Sequence, residues 1–259
     1  MRIKTNEIIQ WDCLSVLKEM NDEFIDLTVT SPPYDNLRTY NWYSWDFEWI
    51  AKELYRVTKQ WWIVVWIVWD SYDKKWSETL TSFKQALYFK EIWFNIHDTM
   101  IYQKNSYPFP PANRYYQQFE YMFVLSKWKP KTTNIQRIAT NPKWRNTNNT
   151  TSSQRNKDWT VEKLKYETGK ADRKMDNVWV INTWYMRSTK DKEAYKHPAI
   201  FPDELCERHI LSWSNPWDIV LDPFAWSGTT LKMAAKNYRY YIWIEISEEY
   251  IEIINNRLK

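Results

Sequence analysis

Apolar positions along this chain switch between two spacings. Glu7 to Gln10 reads as a short strand, and Cys13, Leu14, Val16, Leu17 and Met20 then recur at helical spacing. Phe24 to Thr30 predicts a buried strand, stopped by Ser31-Pro32-Pro33. Residues 46–58 are expected to be helical, and Ile63 to Val68 is an unbroken apolar run of the kind found in strands covered on both faces. A helix is predicted over Thr79–Lys90, and strands over His97–Gln103 and Tyr121–Ser126. Neither period is visible from Lys127 to about Tyr195, so an irregular, polar stretch is expected there. Regular patterning resumes with a helix over Pro202–Leu211, its proline in the first turn, and a strand at Ile219–Leu221. A helix over Thr229–Lys236, a strand over Tyr240–Ile246 and a closing helix over Glu248–Leu258, with Ser247 as N-cap, complete the chain. Strands alternating with helices predict an α/β, doubly wound, mostly parallel sheet.

Composition adds an anomaly. The 259 residues include 2 Gly and 19 Trp. Ordinary usage would give roughly 18 Gly, and a parallel α/β domain needs glycine wherever φ is positive or backbone must approach a ligand closely. Tryptophan stands at many such places, among them Trp61-Trp62 before an apolar run and Trp217 in Asn215-Pro216-Trp217-Asp218. We read Trp at 11, 42, 49, 61, 62, 69, 76, 93, 128, 144, 159, 184, 217, 226 and 243 as glycines, from a UGA codon used for glycine but translated as tryptophan. Trp45, Trp66, Trp179 and Trp213 fit apolar roles. The change raises glycine from 2 to 17 and lowers tryptophan from 19 to 4, both ordinary figures. An aromatic-rich protein with genuine tryptophans is the alternative.

The N-terminus has no apolar signal region, and no run of about 18 apolar residues predicts a membrane span. A cytoplasmic protein with no membrane association is expected. Cys13 and Cys206 are isolated, so neither a disulfide framework nor a metal motif is predicted. Net charge is +4, yet residues 127–174 hold 13 Lys/Arg against 4 Asp/Glu. A basic block on a near-neutral body suits a polyanion; a solvated loop is the plainer reading.

Two strings carry chemistry. Ser31-Pro32-Pro33-Tyr34 follows a predicted strand. An exocyclic amino group is a poor nucleophile, because its lone pair is conjugated with the ring. One side-chain oxygen and one backbone carbonyl can hold its N–H bonds out of plane, and Ser31 Oγ and the Pro32 carbonyl are the candidates. Tyr34 offers a ring for a base to stack on. The second string, Asp222-Pro223-Phe224-Ala225-Trp226-Ser227-Gly228-Thr229-Thr230, is a strand end, a tight turn and a helix start. Glu245 ends the next strand, where a carboxylate can accept bonds from ribose hydroxyls. Alone, each has a structural explanation: a proline turn, a strand–helix turn, a helix cap.

Together the two strings resemble the catalytic and FxGxG cofactor motifs of the amino-group DNA methyltransferases, with Phe224, Trp226 and Gly228 at the marked positions. The order of catalytic motif, basic segment, His-Pro segment and FxGxG motif is similar to the β class. The resemblance covers nearly the whole chain and is weakest over 130–175. It implies a seven-stranded Rossmann-like sheet and S-adenosylmethionine as cofactor, with no metal. It also implies double-stranded DNA as substrate, a monomer or homodimer, and a restriction-modification setting in which a partner endonuclease is an open question. It implies three parts: a catalytic half over 1–129, a target-recognition insertion over 130–190 closed by Asp176-Asn177-Val178-Trp179, and a cofactor-binding half over 191–259. Asp12, followed by Cys13, matches the position that meets the cofactor's adenine, although a helix N-cap explains it equally well. The segment Lys196-His197-Pro198-Ala199-Ile200-Phe201-Pro202 matches the one packed on the methionine end. Arg137, Lys143, Arg145, Arg155 and Lys157 are the candidate DNA contacts. Serine at position 31 goes mostly with N4 of cytosine in this family, and adenine N6 is the alternative acceptor. Outside the class stand a dehydrogenase, an RNA or protein methyltransferase, and an inactive DNA-binding paralogue.

Overall fold

The computed structural model describes residues 3–33, 45–105, 112–139, 151–165, 171–197 and 200–257. The chain forms two compact units, one from Met1–Asn134 with Asn177–Lys259 and the other from Ile135–Asp176.

The larger unit begins with β1 (Glu7–Gln10), α1 (Cys13–Glu19), β2 (Ile25–Thr30), α2 (Phe47–Val57) and β3 (Thr58–Val68). It continues through α3 (Thr81–Glu91), β4 (Asn95–Lys104) and β5 (Phe119–Ser126). The smaller unit holds β6 (Arg137–Ala139), β7 (Thr151–Arg155), β8 (Val161–Lys165) and β9 (Asp172–Lys174). The chain then returns with β10 (Val178–Ile181), a 3-10 turn at Glu193–Lys196, α4 (Asp203–Trp213), β11 (Ile219–Asp222), α5 (Thr229–Lys236), β12 (Tyr240–Glu245) and α6 (Glu248–Arg257).

The main sheet has the order β1-β12-β11-β2-β3-β5-β4-β10. It is parallel except where β5 pairs antiparallel with β3 and β4. Every residue of β2 is buried, its Asp26, Thr28 and Thr30 included, as is the run Ile63–Val68 of β3, whose cover on both faces explains why that run is apolar throughout. Residues of α1, α2 and α3 pack with the sheet in one core that includes Leu17, Ile50, Leu54 and Phe89. Each such side chain contributes about 1.5–3 kcal/mol by leaving water. On α5 and α6, Leu231 and Ile254 form a separate cluster with Ala225 and Trp243. Asp26 fixes the middle of the sheet. Its carboxylate accepts Lys59 Nζ at 2.7 Å and the Ile219 N–H at 2.8 Å, linking β2, β3 and β11.

Two expectations are corrected. The sheet has eight strands, not seven, because β10 pairs parallel with the outer edge of β4. The stretch from Lys127 to Tyr195 is not irregular throughout: it contains β6 to β10. In the smaller unit β6 pairs with β9 and β7 with β8, both antiparallel. None of the described side chains of these two-stranded ribbons is buried, so nothing imposes alternation and their sequence carries no period.

Candidate active site

Strands β2 and β11 lie side by side, with Val220 opposite Leu27 and Leu221 opposite Thr28. From β2 the chain moves on to β3 on one flank, and from β11 to β12 on the other. Strand order therefore reverses here, and a crevice opens beyond the two carboxyl ends. Thr30, the last residue of β2, donates its hydroxyl to Asp222 Oδ1 at 2.7 Å, at the end of β11. The Phe224 N–H donates to the same oxygen at 3.1 Å and starts the turn. Burial pushes the Asp222 carboxyl up to about 7, against hydrogen bonds from Thr30, Thr230 and Phe224 that favour its ionised form.

The loop between β11 and α5 needs two left-handed residues: Trp226 at φ 50° and Gly228 at φ 89°. The Gly228 N–H closes a turn on the Ala225 carbonyl at 2.8 Å. A Cβ on Gly228 would stand 2.9 Å from the Trp243 ring. Glu245 ends β12 and is buried, which raises its pKa. Its carboxylate accepts the N–H of Trp226 and the N–H of Ser247, both at 2.9 Å. Arg257 of α6, with its side chain almost wholly buried, donates to the Ser227 carbonyl and to Thr229 Oγ1. Its Nε lies 2.9 Å from Asp191, which also accepts Lys232 Nζ at 2.6 Å.

Ser31 is half-buried, and Pro32 and Pro33 are buried. The Trp226 indole N–H donates to the Ser31 carbonyl at 2.8 Å. The same ring stands 5.4 Å from His197 and 6.2 Å from Tyr250, while His197 and Tyr250 meet edge to face at 4.3 Å. The structure thus brings Ser31, Glu245 and His197 together around Trp226, Ser31 and His197 at its indole and Glu245 at its backbone N–H.

Other expected site residues are placed as follows. Asp12 caps α1, accepting the Ser15 N–H and hydroxyl at 2.8 Å each. It also stands two residues beyond Gln10, the register partner of Glu245. Cys13 faces the core, so its thiol is part of the packing. Phe224 lies in an aromatic cluster with Trp45 at 5.4 Å and Trp66 at 6.4 Å. Pro223, Ala225, Ser227, Thr229 and Thr230 are buried and shape the loop. Lys196 is exposed and paired with Glu193 at 2.6 Å, and Phe201 is half-buried. In the smaller unit, Arg137 pairs with Asp172 at 2.8 Å, Arg155 lies over the Trp159 ring, and Lys157 is exposed. Tyr34, Lys143, Arg145 and Pro198 lie outside the described residues.

Thr30, Tyr250 and Arg257 also shape the site without belonging to either motif. Thr30 was visible as the residue before Ser31. An arginine in the last turn of a helix ordinarily reads as a surface complement to the helix dipole, so Arg257 carried no signal.

The family profile described as DNA methylase, for N6 and N4 methyltransferases, matches residues 25–256. The chain belongs to the N6/N4 DNA methylase family. It is 54% identical to the orphan methyltransferase M.BamHII of Bacillus amyloliquefaciens over 245 residues, covering 93% of this chain and 91% of that one. It is 29% identical to the DNA adenine methyltransferase YhdJ of Escherichia coli K12 over 266 residues, covering 97% and 82%. Among solved structures, the cytosine-N4-specific PvuII DNA methyltransferase shares the fold at a TM-score of 0.74 and 19% identity, over 99% of this chain and 87% of that one. A DNA modification methylase of Thermus thermophilus, complexed with S-adenosyl-L-methionine, matches at a TM-score of 0.65 and 20% identity, over 97% and 92%.

The cofactor of this DNA methylase family is S-adenosylmethionine. The methylase's own groups fit it in part. Carboxylates at the ends of two neighbouring strands, Asp12 after β1 and Glu245 on β12, suit a nucleoside's hydroxyls and amino group. The two left-handed loop positions suit close backbone approach. The Trp226 side chain is the exception, because it stands inside the crevice. No helix among the described residues is long and apolar enough to cross a membrane.

Proposed function

We propose that this methylase transfers a methyl group from S-adenosylmethionine to an exocyclic amino nitrogen of a base turned out of duplex DNA, with cytosine N4 as the acceptor. The observation that carries this reading is the Thr30–Asp222 hydrogen bond, which holds Ser31-Pro32-Pro33 against the cofactor-type loop at the strand switch. The two reacting groups are thereby held in one crevice, and positioning supplies much of the rate.

Ser31 Oγ and the Pro32 carbonyl accept the two amino N–H bonds of the base. This turns the nitrogen lone pair out of the ring plane. The rings of Pro32 and Pro33 keep the segment stiff, so the direction of that carbonyl is fixed. Tyr34 stacks on the extruded base. Bound S-adenosylmethionine supplies an electrophilic methyl on a positively charged sulfur. Glu245 holds the ribose, Asp12 the adenine, and the segment from Lys196 through His197 and Pro198 to Phe201 packs on the methionine end. Arg257, through Ser227 and Thr229, keeps the loop in shape.

Arg137, Lys143, Arg145, Arg155 and Lys157 contact DNA from the 130–190 insertion, mainly through phosphates. The naming of the Bacillus relative as an orphan methyltransferase supports a protein that works without a paired endonuclease.

The test is a Ser31→Ala variant assayed for methyl transfer into duplex DNA, with RNA and protein acceptors alongside. We expect turnover on DNA to fall about a hundredfold, as for the loss of one preorganised polar contact to the reacting group, with cofactor affinity unchanged. Equal turnover, or transfer to RNA or protein in preference to DNA, would overturn the reading.

A further inference from the structure

Backbone conformation, like composition, sets the tryptophans apart. Eleven described residues other than glycine have positive φ, and six of them are tryptophans: Trp61, Trp76, Trp93, Trp159, Trp217 and Trp226, at φ 50° to 81°. The left-handed region is uncommon for any residue with a Cβ, and asparagine, aspartate and histidine lead there, not tryptophan. Only one of the eleven is an asparagine. All six tryptophans belong to the fifteen read from sequence as glycine, and none is Trp45, Trp66, Trp179 or Trp213.

Side-chain surroundings divide most of the described tryptophans along the same line; Trp62 and Trp243 are buried, Trp69 is half-buried, and Trp42 and Trp144 lie outside the described residues. Trp66 is fully buried and donates its indole N–H to Gln85 at 2.8 Å. Trp213 is buried and donates to His209 at 3.3 Å, and Trp179 packs on the same imidazole at 4.6 Å. Trp45 packs edge-on against Phe224. By contrast, Trp76, Trp93 and Trp159 are 69%, 78% and 75% exposed. Trp11, Trp49, Trp61, Trp128, Trp184 and Trp217 are exposed as well. At Trp61, Trp76, Trp93, Trp159 and Trp217 a large, exposed ring sits on a left-handed backbone position and gains neither burial nor backbone comfort. Trp243 is buried, but its indole N–H has no hydrogen-bond partner among the described residues, and its ring presses on the Gly228 position.

We infer that Trp226 and the other fourteen positions are glycine in the protein its own cell makes, through a UGA codon assigned to glycine, and that glycine at 226 opens the crevice that the indole fills. The backbone needs no change: φ 50° at residue 226 is glycine's own territory, and the Trp226 N–H bond to Glu245 is a backbone bond that glycine keeps. Removing the ring frees the Ser31 carbonyl side of the crevice and the faces of His197 and Tyr250 that now meet the indole. The string then reads Asp-Pro-Phe-Ala-Gly-Ser-Gly-Thr-Thr. The second half of this inference rests on the proposed methyl-donor site; the first half does not.

Two measurements test the halves separately. The first is peptide mass spectrometry of the protein isolated from its own organism, read with its coding DNA. Glycine masses at positions 61, 76, 93, 217 and 226, over TGA codons, are expected; tryptophan masses over TGG codons would overturn the inference. The second is equilibrium binding of S-adenosylmethionine, without DNA, to protein carrying glycine at all fifteen positions and to the same protein with Trp restored at 226 alone. At least about tenfold weaker binding with Trp226 is expected, and equal affinity would overturn the blocking role. Glycine peptides from a protein that binds no S-adenosylmethionine would uphold the codon assignment and instead sink the proposed cofactor site.

Discussion

At the scale of single residues, backbone conformation and burial make separate claims. A tryptophan held at φ 73°, as at 217, carries roughly 1 kcal/mol or more of left-handed strain, and its ring, mostly exposed beside Tyr238 and Tyr240, gains little burial to offset it. Trp217→Gly is therefore expected to raise stability by about 1 kcal/mol, measured as a higher denaturant midpoint at unchanged slope; a lower midpoint would contradict the strain argument. Asp222 makes a different prediction. Its folded pKa, about 7, lies above its unfolded value, so the folded state holds the proton more tightly. That contribution is complete below about pH 4 and is lost as pH rises towards 7. Asp222→Asn lacks it, so the variant should gain on the parent in unfolding free energy between about pH 4.5 and 7.5. A difference that stays flat with pH would show that Asp222 is ionised throughout. His209 acts in the opposite sense: burial lowers its pKa to about 3, so its neutral packing stabilises above about 6.5 and fails as pH falls.

At the scale of elements, legibility followed burial. Strands β3, β11 and β12 were readable from their apolar runs, and β2 from Ile25, Leu27 and Val29 ahead of Ser31-Pro32-Pro33. Ser247 was readable as the cap of α6, and its Oγ lies 3.4 Å from the Tyr250 N–H. Strand β10 was not. It is four apolar letters, Val-Trp-Val-Ile, of which Val178 and Val180 are exposed and Trp179 and Ile181 buried, so its alternation is invisible in the sequence. The ribbons β6–β9 and β7–β8 are short and mostly polar in sequence, and they leave no period. At the site, the two motifs were legible, and what joins them was not. The Thr30–Asp222 bond spans 192 residues, and Arg257 reaches the loop from the last turn of α6. The β7–β8 ribbon, with Arg155 and Lys157 at and beyond the end of β7, makes its own prediction. Neutralising either residue should weaken DNA binding about equally across sequences and reduce the slope of log affinity against log salt by about one. A change confined to one sequence would make that residue a base reader instead.

At the scale of the whole molecule, family membership and codon assignment are linked by expression. Residue 11 is the first of the fifteen positions. A gene carried unaltered into a host that stops at UGA should give no full-length protein, whereas a gene rewritten with glycine codons should give all 259 residues; blotting for a C-terminal tag checks this directly. The rewritten protein also allows the most direct test of the central claim, that this chain methylates an amino group in DNA from the Ser31 crevice. It would be incubated with mixed-sequence duplex DNA and S-adenosylmethionine, the DNA digested to nucleosides, and the bases read by mass spectrometry. The account predicts N4-methylcytosine, lost in the Ser31→Ala variant. N6-methyladenine alone would contradict the assigned acceptor, and no methylated base from a protein that binds S-adenosylmethionine would contradict the claim itself.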